Sequence, residues 1–168
     1  AGGYGSRVAE TLAGLDAPRD TETDAIRAEA LVAVGDWDGA MELFGGIRRR
    51  SASAHLPLPT VWRFGALLYL RGEIVRAQEV LSAAHSDAAE GADAALVSAW
   101  LSSTLWGRGD TDQAQRTAEV ALRQAEASGD PGARAAAHVA MALCAASSGE
   151  RERNERHYRL ALKAATEA

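Results

Sequence analysis

The side chains best suited to chemistry in this 168-residue chain are four histidines, His55, His85, His138 and His157, and one cysteine, Cys144. No two histidines stand four residues apart and no H-E-x-x-H occurs, so the spacing supports no helical zinc site. Cys144 has no second cysteine to pair with, which also rules out a cysteine-based zinc site. It lies in the apolar run AAAHVAMALCAA that starts at Ala135, and reads as an inert core thiol. His138 and His157 are placed to face each other across the last pair of helices, as a packed, hydrogen-bonded pair rather than two metal ligands. The Gly-rich AGGYGS at the start follows no strand, so it is no phosphate loop. No G-x-S-x-G is present, and Ser102 and Ser103 fall mid-helix as packing residues. The expectation is a binding protein, not an enzyme, with no catalytic residue, metal or cofactor.

Binding has better candidates. The chain holds four Trp, three Tyr and two Phe, so any clustering among them is informative. Trp62 and Tyr69 are seven residues apart and share one helix face. Arg63 beside them offers a guanidinium fork to a carboxylate or phosphate.

Helices must carry these groups. Ala makes up 38 residues and Pro only 4, and runs of β-branched or aromatic residues are nearly absent, which predicts an all-α chain. The organisation is a repeat. Gly35, Gly72, Gly109 and Gly149 open GDWDGAMELF, GEIVRAQEVL, GDTDQAQRTA and GERERNERHY, at intervals of 37, 37 and 40. Each Gly precedes an acid. Five residues on stand Ala40, Ala77, Ala114 and Asn154; nine on, Phe44, Leu81, Ala118 and Tyr158; twelve on, Ile47, Ala84, Ala121 and Ala161. Offsets of 5, 9 and 12 lie on one helix face. Seven residues before each Gly is a small residue: Ala28, Gly65, Ser102 and Ala142.

The pattern predicts one helical hairpin used four times. The first helix ends at the Gly, which takes the left-handed backbone without a Cβ penalty. The acid then caps the second helix, well at Asp36 and Asp110, less well at Glu73 and Glu150. Asp110 and Gln113 have capping-box spacing. The small residue before the turn is expected to meet the small one after it. First helices are expected near 20–34, 59–71, 92–107 and 131–147, and second helices near 37–51, 73–89, 111–128 and 150–167. A further helix at about 4–16 precedes them and stops at Pro18. SASAHLPLPT is a loop, and SGDPG is a turn with Asp130 capping and Pro131 at the first helical position. IRRR, Ile47 to Arg50, reads as a solvated helix end.

These residues resemble tetratricopeptide repeats, best at Phe64, Gly65, Gly72, Ala77, Leu81 and Ala84, and at Leu101, Ser102, Gly109, Ala114, Ala118 and Ala121. Arg27 departs from the pattern where a large apolar residue is expected, and Asn154 where Ala is. The resemblance implies an all-α, right-handed α-solenoid of about four hairpins plus one preceding helix. It forms one domain over 1–168, with repeats at about 20–51, 58–89, 92–128 and 131–168. The Ala/Arg-rich phrasing also resembles the MalT-like sensor region of large ATP-binding, LuxR-family bacterial transcription regulators, whose ATPase and DNA-binding domains would lie outside this chain. In such solenoids the first helices line a concave groove. The inward positions include Glu22, Ala25, Glu29 and Val32; Trp62, Ala66 and Tyr69; Ala99, Ser103 and Trp106; and Val139 and Leu143. The implied contacts are Trp62, Arg63, Tyr69, Trp106, Ser103 and Glu29, with a peptide, protein segment or small effector as partner. A generic scaffold for protein–protein interaction or oligomerisation is the alternative.

The formal charge is −5, with a pI near 5.4. Acids and bases are interspersed, without the basic stripe that direct nucleic-acid binding needs. Lys163 is the lone lysine among the basic residues, which points to a high-GC bacterial source. No run approaches the ~18 apolar residues of a membrane span. There is no signal-peptide pattern, and the chain is expected in the cytoplasm. Both ends read as cuts from a longer protein.

Overall fold

The computed structural model describes residues 21–50, 56–87 and 89–167. Eight helices run through them: α1 Thr21–Val34, α2 Trp37–Arg50, α3 Leu58–Leu70, α4 Ile74–Ser82, α5 Ala92–Gly107, α6 Thr111–Ser128, α7 Pro131–Ser147 and α8 Arg151–Glu167. No strand occurs among the described residues. The expected helix at 4–16 and the first half of the SASAHLPLPT loop, His55 included, lie outside them, and the last three residues of that stretch belong to α3.

The helices pair as α1–α2, α3–α4, α5–α6 and α7–α8, and each first helix also packs beside the next first helix. The four hairpin turns share one hydrogen-bond pattern. Gly35, Gly72, Gly109 and Gly149 have φ of 86°, 78°, 85° and 72°. The Gly N–H donates to the carbonyl three residues back: Val32 (3.1 Å), Tyr69 (2.9 Å), Trp106 (2.9 Å) and Ala146 (3.2 Å). The acid's N–H donates to the carbonyl five back: Leu31 (2.9 Å), Leu68 (2.9 Å), Leu105 (3.0 Å) and Ala145 (2.9 Å). This is a Schellman closure, and it satisfies carbonyls that a helix end leaves without partners. Because the Asp110 N–H goes to Leu105, the reverse half of the expected capping box has no donor. Its forward half survives, as the Asp110 carboxylate accepts from the Gln113 N–H at 3.4 Å. Asp36 accepts from Gly39 at 2.9 Å and Asp130 from Ala133 at 2.7 Å, while Glu73 makes no side-chain cap bond.

The small-to-small approach takes three forms. Ala28 and Ala40 are both fully buried. Ser102 donates its hydroxyl to the Ala114 carbonyl at 2.8 Å, and Asn154 donates its amide to the Ala142 carbonyl at 2.8 Å. Asn154 therefore replaces the usual Ala with a bond between helices. In the second hairpin Gly65 faces Leu81: a Cβ on Gly65 would lie 2.5 Å from the Leu81 side chain.

Two positions depart from expectation. The second helix of the second hairpin stops at Ser82 instead of running to 89. Gln124, on α6, donates its amide to the carbonyls of Ser86 (3.1 Å) and Ala89 (2.8 Å), which fixes that stretch as a loop. And IRRR is not wholly solvated. Arg50 reaches the Asp24 carboxylate, which is 2 % exposed and also 3.4 Å from the Arg27 guanidinium. Arg27 stands at an apolar position because a buried acid waits beside it.

The core runs along the hairpin axis. Phe44, Ile47, Phe64, Leu67 and Leu68 fill the N-terminal part. Val61, Leu81, Val97, Leu101, Leu105, Met141 and a series of alanines fill the rest. Phe44 stacks on Phe64 with ring centroids 5.2 Å apart, joining the first hairpin to the second. Burial of each such ring contributes on the order of 2–3 kcal/mol.

Candidate binding groove

The groove residues sit on α1, α3, α5 and α7, and most are bonded to a neighbouring first helix. At the α1–α3 seam, Arg63 Nε donates to Glu29 Oε2 at 2.7 Å and its Nη1 to the Pro59 carbonyl at 2.9 Å. The same guanidinium lies 4.2 Å from the centre of the Trp62 ring. Trp62 Nε1 donates to Asp93 Oδ1, at the start of α5, at 2.8 Å. Tyr69 packs on Trp100 with ring centroids 5.8 Å apart. Trp106 Nε1 donates to Ser147 Oγ on α7. Ser103 is buried and donates to the Ala99 carbonyl at 3.1 Å, within its own helix.

The structure thus brings Glu29, Arg63 and Trp62 into one cluster, and holds Tyr69 and Trp106 at two other seams. Of the small inward residues, Ala25, Ala66 and Ala99 are buried; the side chain of Glu22 lies outside the described residues. Burial raises the Tyr69 phenol above its ordinary range, with a smaller push from the Tyr158 phenol. Beside the Arg63 cluster opens a cavity of about 360 Å³, walled by Ala25, Ile26, Pro59 and Thr60 with Glu29 and Arg63 at its edge. An aliphatic wall with one ion pair at the rim suits an apolar side chain whose neighbouring backbone or carboxylate meets the guanidinium.

Elsewhere the titratable groups are tied down. His138 and His157 do face each other, Nδ1 to Nδ1 at 3.2 Å. Burial lowers both from the ordinary histidine range, and the His138 ring adds to the shift at His157. No group of three metal-capable side chains occurs among the described residues. Burial raises the Cys144 thiol. His85 lies between Asp87 (Nε2 to Oδ1, 2.9 Å) and Ser98 (Nδ1 to Oγ, 3.1 Å), the residue types of a hydrolase triad but with the two ring nitrogens exchanged. Ser98 is fully buried and also bonds Gln124 Oε1 at 2.7 Å, so its hydroxyl faces no substrate. The constellation holds the loop after α4.

Asp24, Asp93 and the His85–Ser98–Gln124 set were not apparent from the sequence. The one available signal was Arg27, a charge at an apolar repeat position. No described helix is long and apolar enough to cross a membrane.

No protein-family model matches the chain, and no curated protein does. Solved structures do. It overlays on MamA MSR-1 C2 with a TM-score of 0.62 at 18 % identity, covering 97 % of this chain and 88 % of that one. It overlays on a crystal structure of MamA with a TM-score of 0.61 at 15 % identity, covering 99 % and 97 %. At such identity the likeness speaks for the fold: the chain is an all-α solenoid of tetratricopeptide-like helical hairpins.

Proposed function

We propose that the chain is a non-catalytic scaffold that binds a protein segment along its first helices, with Glu29, Trp62, Arg63, Tyr69 and Trp106 along the path; Ser103, buried and bonded within its own helix, is left out of it. The carrying observation is the largely apolar cavity beside the Glu29–Arg63 pair, which has room for a large apolar side chain and the backbone next to it. The ligand would insert an apolar side chain there and exchange Glu29 for its own carboxylate or carbonyl at Arg63. A cytoplasmic setting belongs to the same proposal.

The same half-open cavity also supports a second reading, a small-effector sensor of a LuxR-type regulator. Its volume falls within the range of small-molecule sites, roughly 300–1,000 Å³.

Selection from a displayed peptide library separates the two. The scaffold reading expects enriched peptides that share an apolar anchor and lose at least tenfold in affinity to Ile26→Trp, which fills the cavity, and to Arg63→Ala. Peptides that bind both variants as well as the parent would overturn the site. The sensor reading expects no enriched peptide, but a small molecule that raises the melting temperature of the parent and not of Ile26→Trp.

A further inference from the structure

A second cavity, of about 290 Å³, opens between α6 and the loop that follows α4. His85 and Asp87 line it from the loop; Gln113, Arg116, Thr117 and Val120 line it from α6. Their spacing of 0, 3, 4 and 7 residues puts those last four on one helix face. The loop wall is fixed in place, since Gln124 bonds the Ser86 and Ala89 carbonyls and His85 bonds Ser98. This seam between the second and third hairpins is interior to the array, and it shares no residue with the groove cavity beside Arg63.

Three groups on the α6 wall have no partner among the described residues: the Arg116 guanidinium, the Gln113 side-chain amide and the Thr117 hydroxyl. Thr117 is only 6 % exposed. Ser98, Ser103 and Thr104, buried on α5, each return their hydroxyl to the carbonyl four residues back, at 3.0, 3.1 and 2.7 Å. Thr117 makes no such bond. Nor is its oxygen sealed in the core: among the described residues Arg134 Nε alone is a sealed side-chain polar atom without a partner. The hydroxyl therefore opens on the cavity, where a buried polar group needs a bond. Arg116 is exposed and unpaired although Asp87 lines the same cavity, because the Asp87 carboxylate is turned onto His85 Nε2 at 2.9 Å. On α6, Asp112 and Glu119 stand about a turn to either side of Arg116. Neither lines the cavity, and Glu119 accepts from Gln115 at 2.7 Å.

We infer that this cavity binds the phosphate group of a small phosphate monoester. Arg116 offers its guanidinium fork, Thr117 its hydroxyl and Gln113 its amide, one donor group for each terminal oxygen of a tetrahedral phosphate. A planar carboxylate brings two oxygens to the same three donors. The body of the ester lies along Val120. The volume, just under the usual roughly 300–1,000 Å³ of ligand sites, limits the occupant to a small molecule. Asp87 is the one carboxylate on the wall and opposes the anion, so its removal has a predictable sign. The site stands on residues other than those of the groove, so the two succeed or fail independently.

The test titrates the isotope-labelled 168-residue chain with phenyl phosphate, benzoate and benzylamine, and reads backbone amide shifts. Phenyl phosphate is expected to shift the amides of His85, Arg116 and Thr117 and to saturate below about 50 mM, within reach of a Kd of several millimolar. Benzoate is expected to bind about fivefold weaker, and benzylamine not at all. Thr117→Val, which keeps the side-chain shape, and Arg116→Ala are each expected to weaken phenyl phosphate about fivefold or more while keeping the parent's circular dichroism. Asp87→Asn is expected to tighten it about twofold or more. A blocked pentapeptide with a central phosphoserine is expected to bind about fivefold weaker than phenyl phosphate. The absence of a saturable shift, equal affinity for benzoate or benzylamine, or binding that ignores Thr117→Val and Arg116→Ala overturns the proposal. So does Asp87→Asn that weakens binding, because Asp87 would then be holding a cation. A phosphopeptide that binds tighter than phenyl phosphate overturns it as well, in favour of a phosphorylated protein.

Discussion

Gly65 shows how much one hydrogen atom can decide. Its missing Cβ is the space that Leu81 fills, so Gly65→Ala should destabilise the fold by about 1–3 kcal/mol, as overpacked cores do. Chemical denaturation should show the loss, and Leu81→Val in the same chain should recover part of it. A Gly65→Ala chain as stable as the parent would remove the close approach from the account. The His138–His157 pair makes a prediction in pH. Both rings titrate below the ordinary histidine value of 6.5 in the folded chain, so the unfolded chain takes up protons first as pH falls. Their contribution is complete above pH 6.5 and declines as pH drops through that value toward the lowered folded ones. Around the pair stand Glu126 from α6, Arg134 from α7, and Arg153 and Arg156 from α8. The three arginines add to the repulsion once the rings are charged. Melting curves between pH 7.5 and 5 should therefore fall more steeply for the parent than for His138→Gln with His157→Gln; parallel curves would refute the link.

Among the elements, the hairpins were legible because their turns make local demands. A positive φ and a short Schellman closure require Gly at four fixed places, and the sequence meets that demand each time. Asp130 is a cap of the same local kind. Asp130→Ala should cost about 1 kcal/mol, read as a lower denaturation midpoint at unchanged slope. The end of α4 was not legible. Nothing between Ser82 and Ala89 breaks a helix; the decision is made by Gln124, 35 residues beyond Ala89. The site was legible to the same limited degree. Helical spacing put Trp62, Tyr69 and Trp106 on the first helices, but their partners Asp93, Trp100 and Ser147 belong to other helices and carry no periodic signature. Asn154 was a departure from the repeat that only its distant carbonyl explains. Asn154→Ala, although it restores the repeat pattern, should cost on the order of 1 kcal/mol.

In the whole molecule, packing is uneven. The third and fourth hairpins share broad contact, since α7 lies against both α5 and α6. The first hairpin meets the second through a narrow seam built on the Phe44–Phe64 stack, the Glu29–Arg63 tie and the Asp38–Arg71 tie at 2.6 Å. In a solenoid each unit answers mainly to its neighbours, so seams can open one at a time. Phe44→Ala, a loss of about 3–5 kcal/mol by core precedent, should release α1 and α2 to hydrogen exchange while α5 to α8 keep their protection. Uniform loss along the chain would mean a single cooperative unit. The same seam gives the molecule a direction under load. Pulled by its two ends, the chain should yield first where one ring stack and two partly exposed ion pairs, Glu29–Arg63 and Asp38–Arg71, carry the force, and again, at higher tension, where α7 is held on two sides. The Phe44–Phe64 contact is then a mechanical fuse, and the cavity beside Arg63 would be torn open before the rest of the groove is strained.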